Sequence, residues 1–269
     1  MLTRRTLSLS LVALSGVSLA VLRLFLFVFR YDNALAHYAG GWEEPTVLLL
    51  SVATIALFAI LSRTHKQYGK KNVLASLPRI GLAPAIACLA FGVALLASLH
   101  TAIEIAYALL MAAALSLLAA AVSLVVLAIP TKESLELYLF PTLAPVLYAV
   151  YRYFDLGLPM NSPAKLFEML AAMAIALAFL AKCRSVAAKP MPRYSYTVTA
   201  TAAVFGFAEG LPRLVTAVIG GDAVSVLAAL LFLVFSIYFA CALYSGIGEY
   251  DTDEEKTDDI TKQKLETHA

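Results

Sequence analysis

Apolar residues in this chain do not form the one-sided stripe of a soluble helix. They come in eight long runs, each broken by a short polar segment. A helix needs about 20 mostly apolar residues to cross a hydrocarbon core of ~30 Å. Read this way, the runs predict helices at about Thr6–Phe29, Pro45–Leu61, Ile80–Leu99, Ala102–Ile129, Ser134–Phe154, Pro163–Lys182, Tyr194–Ile219 and Ala223–Gly246. Ser162-Pro163 reads as N-cap followed by first helical position, and Asp222 as the N-cap of the last helix. Pro141 and Pro145 lie inside the fifth run, where each removes a backbone donor and favours a kink.

Composition agrees with the pattern. The chain is 61% hydrophobic and only 14% charged, against roughly 45–50% and about 25% in soluble domains. Its mean hydropathy is +0.83. This much apolar surface in 269 residues implies lipid as solvent, so the expected fold is an all-α, multi-pass bundle in the cell membrane. Residues 1–248 form the membrane domain. Residues 249–269 form an acidic tail, too poor in apolar side chains to order itself and expected to be disordered. Arg4 and Arg5 superficially resemble a twin-arginine signal, but the run after them is too long for a signal segment and lacks a small-residue cleavage site.

Net charge is +2 and says little, because charge is segregated. Lys and Arg gather at the N-terminus, in loop 62–79 and in loop 182–194, while the loops at 30–44, 100–104, 155–162 and 220–222 hold few. An even number of helices separates the basic segments. The positive-inside rule therefore places both termini in the cytoplasm. No basic face interleaved with aromatics appears, so nucleic acid is not an expected partner.

The candidate chemistry lies inside the runs. At ~1.5 Å per residue, Arg23 sits about 10 Å from the outer end of its helix, Glu168 roughly 8 Å, Arg213 roughly 9 Å and Glu209 about 15 Å. With Arg152 they form the candidate ligand-binding set, because charges at membrane depth cost free energy and mark functional sites by default. Asp155, Asn161, Lys165, Glu104 and His100 are secondary candidates nearer the interface. Glu209 and Arg213 are four apart and share a helix face. Pro212 frees a carbonyl near Ala208, and Gly206 and Gly210 loosen the same turn, as in the broken helices of transporters.

Glu209-x-x-x-Arg213 is similar to part of the glutamate–arginine motif of CAAX-protease-like membrane proteins. That family places a second glutamate directly before the motif's first and histidines on later helices. Here position 208 is Ala, and the next histidine is His268. The catalytic part of the pattern is missing, and no metal or phosphate motif replaces it. His100 with Glu104 reads as interfacial rather than metal-binding, and Cys88, Cys183 and Cys241 as packing residues. No cofactor is expected.

The leading functional expectation is a transporter or sensor for a small solute or ion. Arginines would grip a carboxylate or phosphate, and a glutamate would carry a proton or pair with an amine. The alternative is a non-catalytic accessory or structural subunit, docked to a partner membrane subunit, whose charges only lock helices together. A helix 1–4/5–8 duplication is also open, since Phe29-Arg30-Tyr31-Asp32 echoes Tyr151-Arg152-Tyr153-Phe154-Asp155 at corresponding helix ends. Cysteine-accessibility labelling should place Gly41 and Asn161 outside, and Gly69 and Lys189 inside. Labelling of Asn161 from the cytoplasmic face would break the eight-span topology.

Overall fold

The computed structural model describes residues 4–32, 37–38, 41–64, 78–99, 104–129, 134–155, 159, 162–187 and 191–266. These form eight α-helices: α1 (Arg4–Phe29), α2 (Glu43–Leu61), α3 (Pro78–Ala97), α4 (Glu104–Ala128), α5 (Leu135–Phe154), α6 (Pro163–Ala187), α7 (Pro192–Gly220) and α8 (Ala223–Glu266). A single 3-10 turn, Ser62–Thr64, follows α2. Tyr31–Asp32 and His37–Tyr38 pair antiparallel as two short strands, β1 and β2, between α1 and α2.

Six helices are long and apolar enough to cross a membrane: α1, α2, α4, α6, α7 and the Ala223–Ile247 part of α8. The apolar part of α3, Gly81–Ala97, is shorter. Helix α5 has 20 residues but is diluted by two prolines, a threonine, Glu136, Arg152 and four tyrosines. Large apolar side chains such as Leu49, Ile86, Val122 and Val218 point outward from α2, α3, α4 and α7. In water such a surface would aggregate; in lipid it is the expected exterior.

The ends follow local chemistry. Pro163 and Pro192 occupy first helical positions, where a missing N–H costs nothing. Glu43 and Glu44 fall in the first turn of α2, on the positive end of its dipole. Gly221 closes α7 in the left-handed region, at φ 71°. Asp222 then caps α8, its Oδ1 accepting from the Val224 N–H at 3.1 Å. Hydrogen bonds from Ser225 and from the backbone hold its carboxyl below the usual range. Helix α6 runs five residues past the expected Lys182, since no Gly or Pro stands before Pro190. The α8 backbone continues past its apolar part to Glu266.

Helices α3 to α8 each pack on their chain neighbours, and α3 also packs on α8, closing a ring. Helix α7 is the hub, touching α6 and α8 inside the ring and α1 and α2 outside it. Phe179 fills the ring beside Phe235, Tyr238 and Phe239. Helix α5 runs antiparallel along α6 for its whole length. Arg152, near its end, meets Glu168, near the start of α6; Thr142, midway along α5, lies 3.6 Å from Cys183; and Leu135, at the start of α5, lines a groove with Ala187, the last residue of α6.

Helix α7 stays helical through Gly206, Gly210 and Pro212, which differs from the loosened turn expected there. The physical reason is packing. A Cβ on Gly206 would stand 2.9 Å from the Phe232 carbonyl, and one on Gly210 would stand 2.7 Å from Leu233 Cγ. The two glycines form a small-x-x-x-small seam that lets α8 approach closely, and Ser236 donates to the Ala203 carbonyl at 2.5 Å across it. Gly210→Ala should destabilise by about 1–3 kcal/mol through overpacking. Gly41→Ala, with no atom within 4 Å of the new Cβ, should not. Thermal unfolding in detergent compares them, and equal melting temperatures would refute the seam.

Candidate functional site

The five primary candidates, drawn from α1, α5, α6 and α7, lie in one connected network. Arg23 Nη1 donates to Glu209 Oε2 at 2.6 Å and to the Ala208 carbonyl at 2.7 Å. The second bond has a backbone cause. Pro212 has no N–H to offer residue 208, so that carbonyl is left over from the helix ladder and accepts from Arg23 instead. The Arg23 guanidinium also lies 3.8 Å from the Phe167 ring centroid and 5.4 Å from that of Phe27, a cation–π setting in a desolvated place. Arg23 and Glu209 are 2% and 4% exposed. Of the three candidate arginines, the one most distant in sequence is therefore the principal partner of Glu209. Arg213, the i+4 neighbour, stands 3.7 Å from Glu209.

Arg213 turns to Glu168 instead, donating to its Oε1. Arg152 Nε donates to Oε2 of the same carboxylate at 2.8 Å, and Tyr148 donates its hydroxyl to Oε1. Glu168 thus receives two arginines and a phenol and is buried. Arg152 reaches Asp155 as well, and Lys165 Nζ donates to the Asp155 carbonyl at 2.7 Å. The two ends of the series Arg23–Glu209–Arg213–Glu168–Arg152–Asp155 differ in exposure, while Glu168 within it is buried. Side-chain exposure is 2% at Arg23, 16% at Arg213, 14% at Arg152 and 23% at Asp155. Four cations (Arg23, Arg152, Lys165, Arg213) meet three carboxylates (Asp155, Glu168, Glu209), an excess of one positive charge.

Asp155 and Lys165, secondary candidates, join this network. His100 and Asn161 lie outside the described residues, and Glu104 opens α4 with its side chain outside them. Residues not singled out from sequence complete the setting. Phe27, Tyr31 and Tyr38 form an aromatic cluster between α1 and the β1–β2 hairpin. Burial pushes the Tyr38 phenol up to about 12, with Arg23 opposing and Glu209 reinforcing the shift. Tyr31 and Ser162 oxygens stand 3.5 Å apart, bringing that hairpin to the start of α6. Glu43 is fully buried, and neither carboxylate oxygen makes a hydrogen bond among the described residues; Arg30 Nε stands 3.8 Å away. The signal for these residues was the clustering of aromatics at the end of α1, which also fits an ordinary interfacial belt.

A cavity of about 20 Å³ adjoins the network and touches it at Tyr148; its other walls, including Cys88, Leu117 and Phe232, are apolar. That is room for about one water, beside a single polar group. No grouping of His, Cys, Asp and Glu able to hold a metal occurs among the described residues.

No known protein family, curated protein or solved structure matches the chain.

The network makes Glu168 its central carboxylate. Glu168→Gln leaves Arg152 and Arg213 without their shared counter-charge and should cost ~3–5 kcal/mol, the usual cost of breaking a buried pair. Asp155→Asn, at the exposed end, should cost about 0–1 kcal/mol. Thermal unfolding in detergent ranks the two, and equal losses would contradict a network centred on Glu168.

Proposed function

We propose that this chain is a membrane protein with eight crossings and cytoplasmic termini, and that its charge network is a lock holding α1, α5, α6 and α7 in one arrangement. That is the role of a non-catalytic accessory or structural membrane subunit. The observation that carries this reading is saturation: Arg23 meets Glu209, while Arg152 and Arg213 both meet Glu168. A solute would have to break an existing ion pair to reach any of these groups.

Packing supports the crossing number. Helix α5 runs the length of α6, a span by length and composition, so α5 crosses with it. The ends of α1, α5 and α7 and the start of α6 share one side of the bundle, through the network. With α2 and α4 long and apolar enough to cross, this parity supports a crossing by α3 as well. Orientation follows the basic side chains at the other end, among them Arg63, Lys182, Arg184 and Arg193.

A second reading keeps the network as a closed binding site for a small anionic solute, as in a transporter or sensor. The part-exposed Arg152 and Arg213 favour it, since two arginines with one excess positive charge suit a carboxylate or phosphate.

The stabilities of Arg23→Gln, Glu209→Gln and the double variant separate the readings. A lock predicts that each single change costs ~3–5 kcal/mol, because the survivor is stranded in low dielectric. The double variant should recover much of that, short of the carbonyl bond and ring contacts that Arg23 also makes. Singles that fold normally, lose binding or uptake of small carboxylates or phosphate, and gain nothing from the second change would overturn the lock.

A further inference from the structure

A groove of about 530 Å³ opens at the end of the bundle opposite the network, between α5, α6 and α7. Its walls include Leu135, Leu139, Leu180 and Met191, all large apolar side chains left exposed. Arg184 and Tyr194 complete its lining. The volume falls in the range of about 300–1,000 Å³ that small-molecule sites occupy. The groove follows α6 for about 10 Å from Leu180 to Ala187, and Arg184 lies roughly 24 Å along that helix from Glu168. It is therefore near the far surface of the bilayer, at headgroup depth.

We propose that this groove binds one anionic phospholipid, with an acyl chain on the leucines and the phosphate at Arg184. Charge complementarity selects this occupant. Arg184 is exposed and makes no ion pair among the described residues, and Lys182 and Arg193 share its end of the bundle. Glu136 stands on the first turn of α5 but does not line the groove. The Tyr194 hydroxyl supplies a second donor of the kind found at membrane interfaces. A basic site between membrane helices is suited to anionic headgroups. A free phosphate would use Arg184 but leave the apolar walls in water. A zwitterionic lipid would use the walls but bring its own cation to Arg184.

Native mass spectrometry of the whole protein, equilibrated with equal amounts of phosphatidylglycerol and phosphatidylcholine, tests this. The protein should retain phosphatidylglycerol in preference. Arg184→Gln should weaken that retention by about fivefold, the worth of one basic side chain at an anionic surface, with its melting temperature unchanged. Ala187→Phe, which fills the groove from an exposed position, should reduce retention of both lipids. Arg193→Gln should have a smaller effect than Arg184→Gln, and inorganic phosphate should not displace the lipid. Equal retention of the two lipids by the wild type would overturn the proposal. So would an unchanged preference in Arg184→Gln, an equal loss in Arg193→Gln, or displacement by phosphate.

Discussion

A guanidinium placed at membrane depth must find its counter-charge inside the protein, and Arg23 sets that demand for the whole bundle. Helix α1 packs on the rim, and its outward face is apolar like the lipid around it. Hydrophobic association contributes little between helices already solvated by hydrocarbon. The Arg23–Glu209 pair, with the Ala208 carbonyl and the Phe167 ring, supplies what apolar packing cannot: a direction. On the proposed lock, it selects one rotation and one depth of α1 against α7, because a small displacement would strand both charges. Removing such a pair from water is costly, so its net contribution to stability is small even though breaking it is expensive. Its larger effect is on uniqueness, through the penalty it places on every other arrangement.

Pro212 and the two glycines make α7 fit to be the hub. The proline leaves a carbonyl facing α1, and the glycines remove bulk facing α8. One stretch thus offers a polar anchor to one neighbour and a close seam to another. A helix that broke here would lose both. The two features of the stretch that suggest flexibility in isolation serve rigidity in context.

Much of this was legible in the sequence. Eight runs separated by breaks correspond to eight helices, most with ends within about two residues, since Pro163, Pro192, Gly221 and Asp222 act locally. That Arg23, Glu168, Glu209 and Arg213 lie inside helices, several residues from their ends, was legible from the apolar runs, and so was the carbonyl that Pro212 frees. Pairing was not. Spacing along one helix exposes the i+4 neighbour Arg213 and says nothing of Arg23, which is 186 residues from Glu209. The role of Gly206 and Gly210 was equally hidden, because a glycine at a seam and a glycine at a hinge look alike until the facing helix is in place.

On the proposed lock, the network holds one arrangement of α1 against α7. Spin labels at Val28 and Val218, both lipid-facing near that end of the bundle, report the distance between the two helices by double electron–electron resonance. The lock predicts a single narrow distribution in the wild type and a broader or shifted one in Glu209→Gln. Two distances in the wild type, or a distribution unmoved by Glu209→Gln, would contradict it.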